Sequence, residues 1–296
     1  RSLDSRHQLP TVDRRVEPAS VEPGLFQPSQ CGVFEPPIGG CLLVLVRGVN
    51  LVGRDQVAVG AGDFPHAGQH PSAVAAAAAL GIAVTTAPAR SGPFCLEELV
   101  GTCVTYPYTD AAAVVPNDAM WMYPALLMAL LFVVLVISIH HYGSSDKKVF
   151  SQIALSFAVI AATAHTINFF VQLAVIQPSL LKGELEGLTL FSQYNPHGIF
   201  IALEDVGYLM MGIAFLFIAP VFSQQVRLER VIRLLFVISS ILAVGALPLL
   251  ALLYGSDLEY RYEVASLLTV WITLIASGAL LALFFKREGQ KYLLWS

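Results

Sequence analysis

Between residues 122 and 285 the chain is a relay of five long apolar runs joined by short links. This constrains its fold more than any other feature of the sequence. The runs cover 122–141, 150–177, 198–222, 231–254 and 264–285. Roughly 20 apolar residues carry a helix across a bilayer, so each run is long enough for a tilted span. Backbone groups in hydrocarbon must bond within their own segment, so the runs are predicted to be helices. The expected fold class is therefore all-α, an integral membrane bundle of about five transmembrane helices. A largely disordered or non-native N-terminal segment is expected before it.

The links alternate in charge. Lys147 and Lys148 lie between spans one and two, Arg227, Arg230 and Arg233 between three and four, and Lys286, Arg287 and Lys291 after five. The other two links lean acidic, with Glu184 and Glu186 beside Lys182, then Asp257, Glu259 and Glu263 around Arg261. Basic loops stay on the cytoplasmic side, which predicts a cytoplasmic-membrane protein with its N-terminus outside and its C-terminus inside. Trp121, Tyr123, Tyr142, Tyr194, Tyr254, Tyr260, Tyr262 and Tyr292 sit where interfacial belts belong. Pro248 predicts a kink in span four. Ser266, Thr269, Thr273 and Ser277 share one face of span five, a stripe that reads as close helix packing.

Composition agrees. Only 13% of the 296 residues are charged and the mean hydropathy is +0.67. Soluble proteins carry nearer a quarter charged. A net charge of -4 leaves no basic footprint for nucleic acid. The expected partners are the lipid bilayer and a second copy or another membrane subunit.

Residues 1–119 have a different texture. They hold all four cysteines (Cys31, Cys41, Cys95, Cys103), and they precede Met120 and Lys147, the first Met and Lys of the chain. Turn formers and charges are scattered without period, which reads as loop or disorder. Three accounts compete: an upstream stretch with the working start at Met120 or Met122, a disordered extension, or an exported domain stapled by disulfides. Four cysteines allow 3 pairings, and their spacing is not that of a zinc site. Residues 41–52 are broken by Arg47, and the Ala-rich stretch 73–89 lacks the setting of a signal peptide. Neither patch is predicted to span.

A few residues do not belong in hydrocarbon. Asn195 and Pro196 predict the start of span three, which puts Glu204 and Asp205 roughly 12 Å along it, in the outer half of the membrane. A charged residue at a helix centre costs about 2.5–3.5 kcal/mol on insertion scales. Glu204 shares a stripe with His197, Tyr208 and Met211, and Asp205 shares one with Gly198 and Gly212. His165, Asn168 and Gln172, spaced three and four apart, form a polar stripe on span two. The expected site is a polar intramembrane cluster of His165, Asn168 and Gln172 against Glu204, Asp205 and Tyr208, with His197 and Asn195 at its rim. Two readings apply: a proton, cation or small-solute site, or a structural hydrogen-bond knot.

No pair of histidines matches in depth as haem ligands need, and no Glu-x-x-His spacing marks a metal site. No nucleophile elbow or phosphate loop occurs in the membrane part. No cofactor and no catalytic residue is expected, and a metal stays open. Gln177-Pro-Ser-Leu-Leu, the run from Gln193-Tyr-Asn-Pro-His-Gly to Glu204-Asp205, and Ala219-Pro-Val-Phe222 together resemble a group of prokaryotic polytopic membrane proteins of no established function. The resemblance covers 170–222 and implies that this region forms one unit. The leading expectation is a multi-pass protein that binds or moves a proton, cation or small solute. The alternative is a non-catalytic scaffold or accessory subunit. A lipid-modifying membrane enzyme, working through Glu204, Asp205 and His197 near the interface, comes third.

Overall fold

The computed structural model describes residues 69–295, and among them every regular element is helical. Six long helices form the bundle: α1 (Gln69–Thr86), α2 (Met122–Tyr142), α3 (Lys148–Val171), α4 (Ile199–Ile218), α5 (Arg227–Tyr254) and α6 (Glu259–Trp295). Short helical turns connect them. Five stretches are long and apolar enough to cross a membrane: Asn117–Tyr142, Ser145–Lys182, Ile199–Val221, Arg227–Asp257 and Tyr260–Phe285. They lie along α2 to α6 and correspond to the five expected spans. The chain is a multi-pass, membrane-embedded helical protein.

The core is a seam of aromatic and small side chains. Phe132 of α2 meets Phe215 of α4 edge-on at 5.5 Å, and Phe215 stacks on Phe236 of α5 at 5.1 Å. Small residues let the backbones close in. A Cβ on Gly212 of α4 would sit 2.9 Å from the Ala243 Cβ of α5, so the small face that Asp205 shares with Gly212 is where α5 packs. The outward side of α5, with Ile238, Ile241, Leu242, Leu249, Leu252 and Leu253, is exposed and apolar, as a lipid-facing helix requires. Pro248 lies inside the continuous α5 helix. Ser266, Thr273 and Ser277 of α6 are buried, and each bonds to its own helix, which fits packing.

Two boundaries differ from the sequence reading. Helix α4 begins at Ile199 with Gly198 as its N-cap, not at Pro196. Asn195 instead folds the approach: its Oδ1 accepts the His197 N–H at 3.0 Å, and its carbonyl accepts the Gly198 N–H at 2.9 Å. Gly198 is required there, because a Cβ would lie 2.9 Å from the Asn195 carbonyl oxygen. Helix α6 begins at Glu259, so Glu263, assigned from sequence to a link, is a residue of the helix.

The larger difference lies in 69–119, expected to be disordered. Helix α1 is inserted between α2 and α6, with Ser72, Ala75, Ala76 and Ala79 buried. Its apolar stretch, Pro71–Thr86, is shorter than a span, but small side chains are what a helix needs to fit between two others. The segment after α1 is tied down. Cys95 and Cys103 form a disulfide, and Val104, Ala111 and Val115 pack on Ile176, Leu180 and Tyr194. The expectations for Cys31, Cys41 and the rest of 1–68 lie outside the described residues.

Candidate functional site

The polar residues of α3 and α4 meet at Tyr208, where the His165 ring lies close and Glu204 accepts a hydrogen bond, but their other contacts divide between two faces of α4.

The face toward α3 is neutral. Asn168 Nδ2 donates to the Phe200 carbonyl at 3.0 Å, and Gln172 Nε2 donates to the Phe191 carbonyl. Both amides thus hold the incoming chain of α4 against α3. Gln172 opens a π-helical turn, Gln172–Ile176, that shifts the side-chain register at the end of the span. His165 is fully buried, and neither ring nitrogen has a hydrogen-bond partner. Its ring stacks on Phe169 at 5.4 Å and tilts over Tyr208 at 4.5 Å. Gly207 makes room for it, since a Cβ there would be 2.4 Å from His165 Nε2. His165 acts here as a flat packing group.

The face toward α6 is acidic. Glu204 is fully buried, and the Tyr208 hydroxyl one turn along donates to its Oε1 at 3.3 Å. The carboxyl of Glu263 on α6 faces that of Glu204, and Glu204 Oε2 has no hydrogen-bond partner. Two buried carboxylates facing each other repel, which favours a proton on one of them. Trp271, two turns along α6, is fully buried, and its indole Nε1 has no hydrogen-bond partner. Asp205 points elsewhere, half-buried and facing Tyr262. The adjacent acids of α4 thus separate, as a turn of about 100° per residue requires. His197 is exposed at the rim, and Asn195 beside it bonds the Thr189 carbonyl at 2.9 Å.

Glu263 also lines a cavity of about 210 Å³ at the end of the bundle where α1 and α3 finish and α2, α4 and α6 begin. Its walls include Trp121, Tyr194, Phe200, Tyr260 and Trp271. Three polar contacts fix the rim. Arg90 pairs with Asp118 Oδ2 at 2.7 Å, the Tyr194 hydroxyl donates to the same oxygen at 3.0 Å, and Ser91 Oγ meets the Tyr260 hydroxyl at 2.8 Å. Burial, reinforced by the Asp118 carboxylate, raises the Tyr194 hydroxyl above the ordinary phenol range, so it stays a donor.

Sequence reasoning missed Glu263, Trp271, Asp118 and Arg90. A signal existed for Glu263: it lies three residues before Ser266 and extends the same small-polar stripe backward. For Asp118 and Arg90 no pattern was present, because the ion pair forms between segments without period. Among the described residues no group of three or more His, Cys, Asp or Glu side chains is placed to hold a metal ion. No family model, curated protein or solved structure matches the chain.

Proposed function

We propose that the protein takes up a proton or a small monovalent cation from the cavity onto the Glu204–Glu263 pair. The observation that carries this reading is the pair itself: two carboxyls on different spans, facing each other, with Glu263 lining the cavity. Intramembrane acids are costly and gather at ion and proton paths. A shared proton is the natural occupant, and a monovalent cation could balance the remaining charge. The test is flux in reconstituted vesicles carrying a pH-sensitive dye, with gradients of proton or monovalent cation imposed. Glu204→Gln and Glu263→Gln should each abolish the flux while retaining the wild-type elution profile and thermal midpoint. Loss of folding in both variants would assign the pair to architecture and favour the scaffold reading. That reading already draws support from Asn168, Gln172 and His165, whose contacts are structural.

The cavity end is the external end in this reading. The basic links, with Lys147, Lys148, Arg227, Arg230 and Arg233, lie at the opposite end of the spans. The Cys95–Cys103 disulfide lies at the cavity end, and disulfides persist in oxidising compartments. Helix α1 is read as a sixth crossing. The Arg90–Asp118 and Ser91–Tyr260 contacts put the end of α1 level with the starts of α2 and α6, so it runs antiparallel to both. Its 18 residues reach about 27 Å back toward the basic end, close to the hydrocarbon thickness. No charged residue occurs from 71 to 89, and the outward Val74 and Val84 are exposed. On this account α1 begins at the cytoplasmic face, the face at which α6 ends. Green fluorescent protein fused before Arg1 should then fluoresce, as should a C-terminal fusion. A dark N-terminal fusion with a bright C-terminal one would restore five crossings.

A further inference from the structure

We propose that the cation held in the cavity is organic: a small protonated amine, with its N–H groups on Asp118 and Glu263 and its carbon body against the aromatic walls. The inference rests on the cation reading above and names the class of ligand.

The walls argue against a bare metal ion. Six aromatic side chains line the space: Phe94, Trp121, Tyr194, Phe200, Tyr260 and Trp271. A metal ion entering it would give up hydration and need several converging oxygens in return. Aromatic faces cannot supply them. They do attract ammonium groups, most strongly where water is excluded, and they pack well against hydrocarbon.

The polar groups that remain also match an amine. Arg90 donates its Nε–H to Asp118 Oδ2, and Tyr194 donates to the same oxygen. Ser91, Tyr260 and the Gln193 carbonyl bond to one another. Two acidic residues line the cavity. One is Glu263, whose carboxyl faces that of Glu204. The other is Asp118, whose Oδ1, on a side chain only 3% exposed, has no hydrogen-bond partner. A buried carboxylate oxygen without a donor is costly, so the site favours a ligand that brings N–H groups. Tetramethylammonium has the charge but no such donor. The space, about 210 Å³, has room for a small aromatic amine.

The experiment uses the full chain in detergent. Trp121 and Trp271, in the cavity wall, report binding through their fluorescence. The titrants are phenethylammonium chloride, its neutral analogue 2-phenylethanol, tetramethylammonium chloride and sodium chloride. The expected result is a saturable change with phenethylammonium, a weaker one with tetramethylammonium and none with the alcohol or with sodium. Glu263→Gln should weaken phenethylammonium binding by about tenfold or more. Glu263→Asp, which keeps the charge, should retain part of it, and unchanged thermal midpoints show that both variants fold. Equal binding of alcohol and amine, or amine binding unaffected by Glu263→Gln, would overturn the inference. If no amine binds but proton or sodium flux still requires both glutamates, the amine class fails and the broader cation reading survives.

Discussion

The two faces of α4 solve the same problem in opposite ways. Toward α3, polar side chains are neutral, and the amides of Asn168 and Gln172 are spent on backbone carbonyls. Toward α6, two carboxyls meet and border a cavity. Polar residues in hydrocarbon are tolerated where they find partners, and the α3 face does little more than that. The α6 face brings two carboxyls together where a packing contact would not need them. The lesson is that a polar stripe on a span identifies an interface, and only the chemistry across it separates a fastening from a site.

The contrast can be broken most severely at Gly207. Gly207→Val would drive methyl groups into the His165 ring, and overpacking of this kind costs about 1–3 kcal/mol. A clear fall in the thermal midpoint in detergent is expected. An unchanged midpoint would mean that His165 is free to move and is not a fixed packing group. A smaller loss is expected from Asn168→Ala, about 0.6–2 kcal/mol for an interhelical hydrogen bond in a membrane. Its flux should stay at the wild-type level once corrected for folded protein. Flux lost without loss of stability would move Asn168 from the fastening to the site. The smallest stability change is expected from Tyr208→Phe, which removes one hydroxyl from Glu204 and costs roughly 0.6 kcal/mol. Its signature should instead be a displaced pH dependence of flux. An unshifted profile would show that Tyr208 does not tune the pair.

The spans were legible in the sequence because hydropathy over 20 residues is a strong signal and the chain has five such runs. Glu204 was legible because an acid in such a run is conspicuous. Its partner was not. Glu263 sits just outside the apolar run of span five, where a charged residue reads as part of a link, and only the earlier start of α6 brings it to Glu204. Helix α1 escaped for a different reason. Its apolar stretch, Pro71–Thr86, is shorter than a span, so Ala75, Ala76 and Ala79 look featureless until two neighbouring helices close over them. Asn168 and Gln172 were placed at the right interface but given the wrong partners. A stripe fixes which helix a side chain faces, and it does not fix whether a backbone carbonyl or a carboxylate meets it.

The central claim is that Glu204 and Glu263 hold a proton between them and meet the outside through the cavity. Dicyclohexylcarbodiimide, which adds to protonated carboxyls in apolar surroundings, tests it directly when the adducts are mapped by mass spectrometry. The account predicts an adduct on Glu263, slower to form as the external pH rises and absent in Glu263→Gln. Finding both glutamates unmodified under conditions that label a control membrane carboxyl would contradict it.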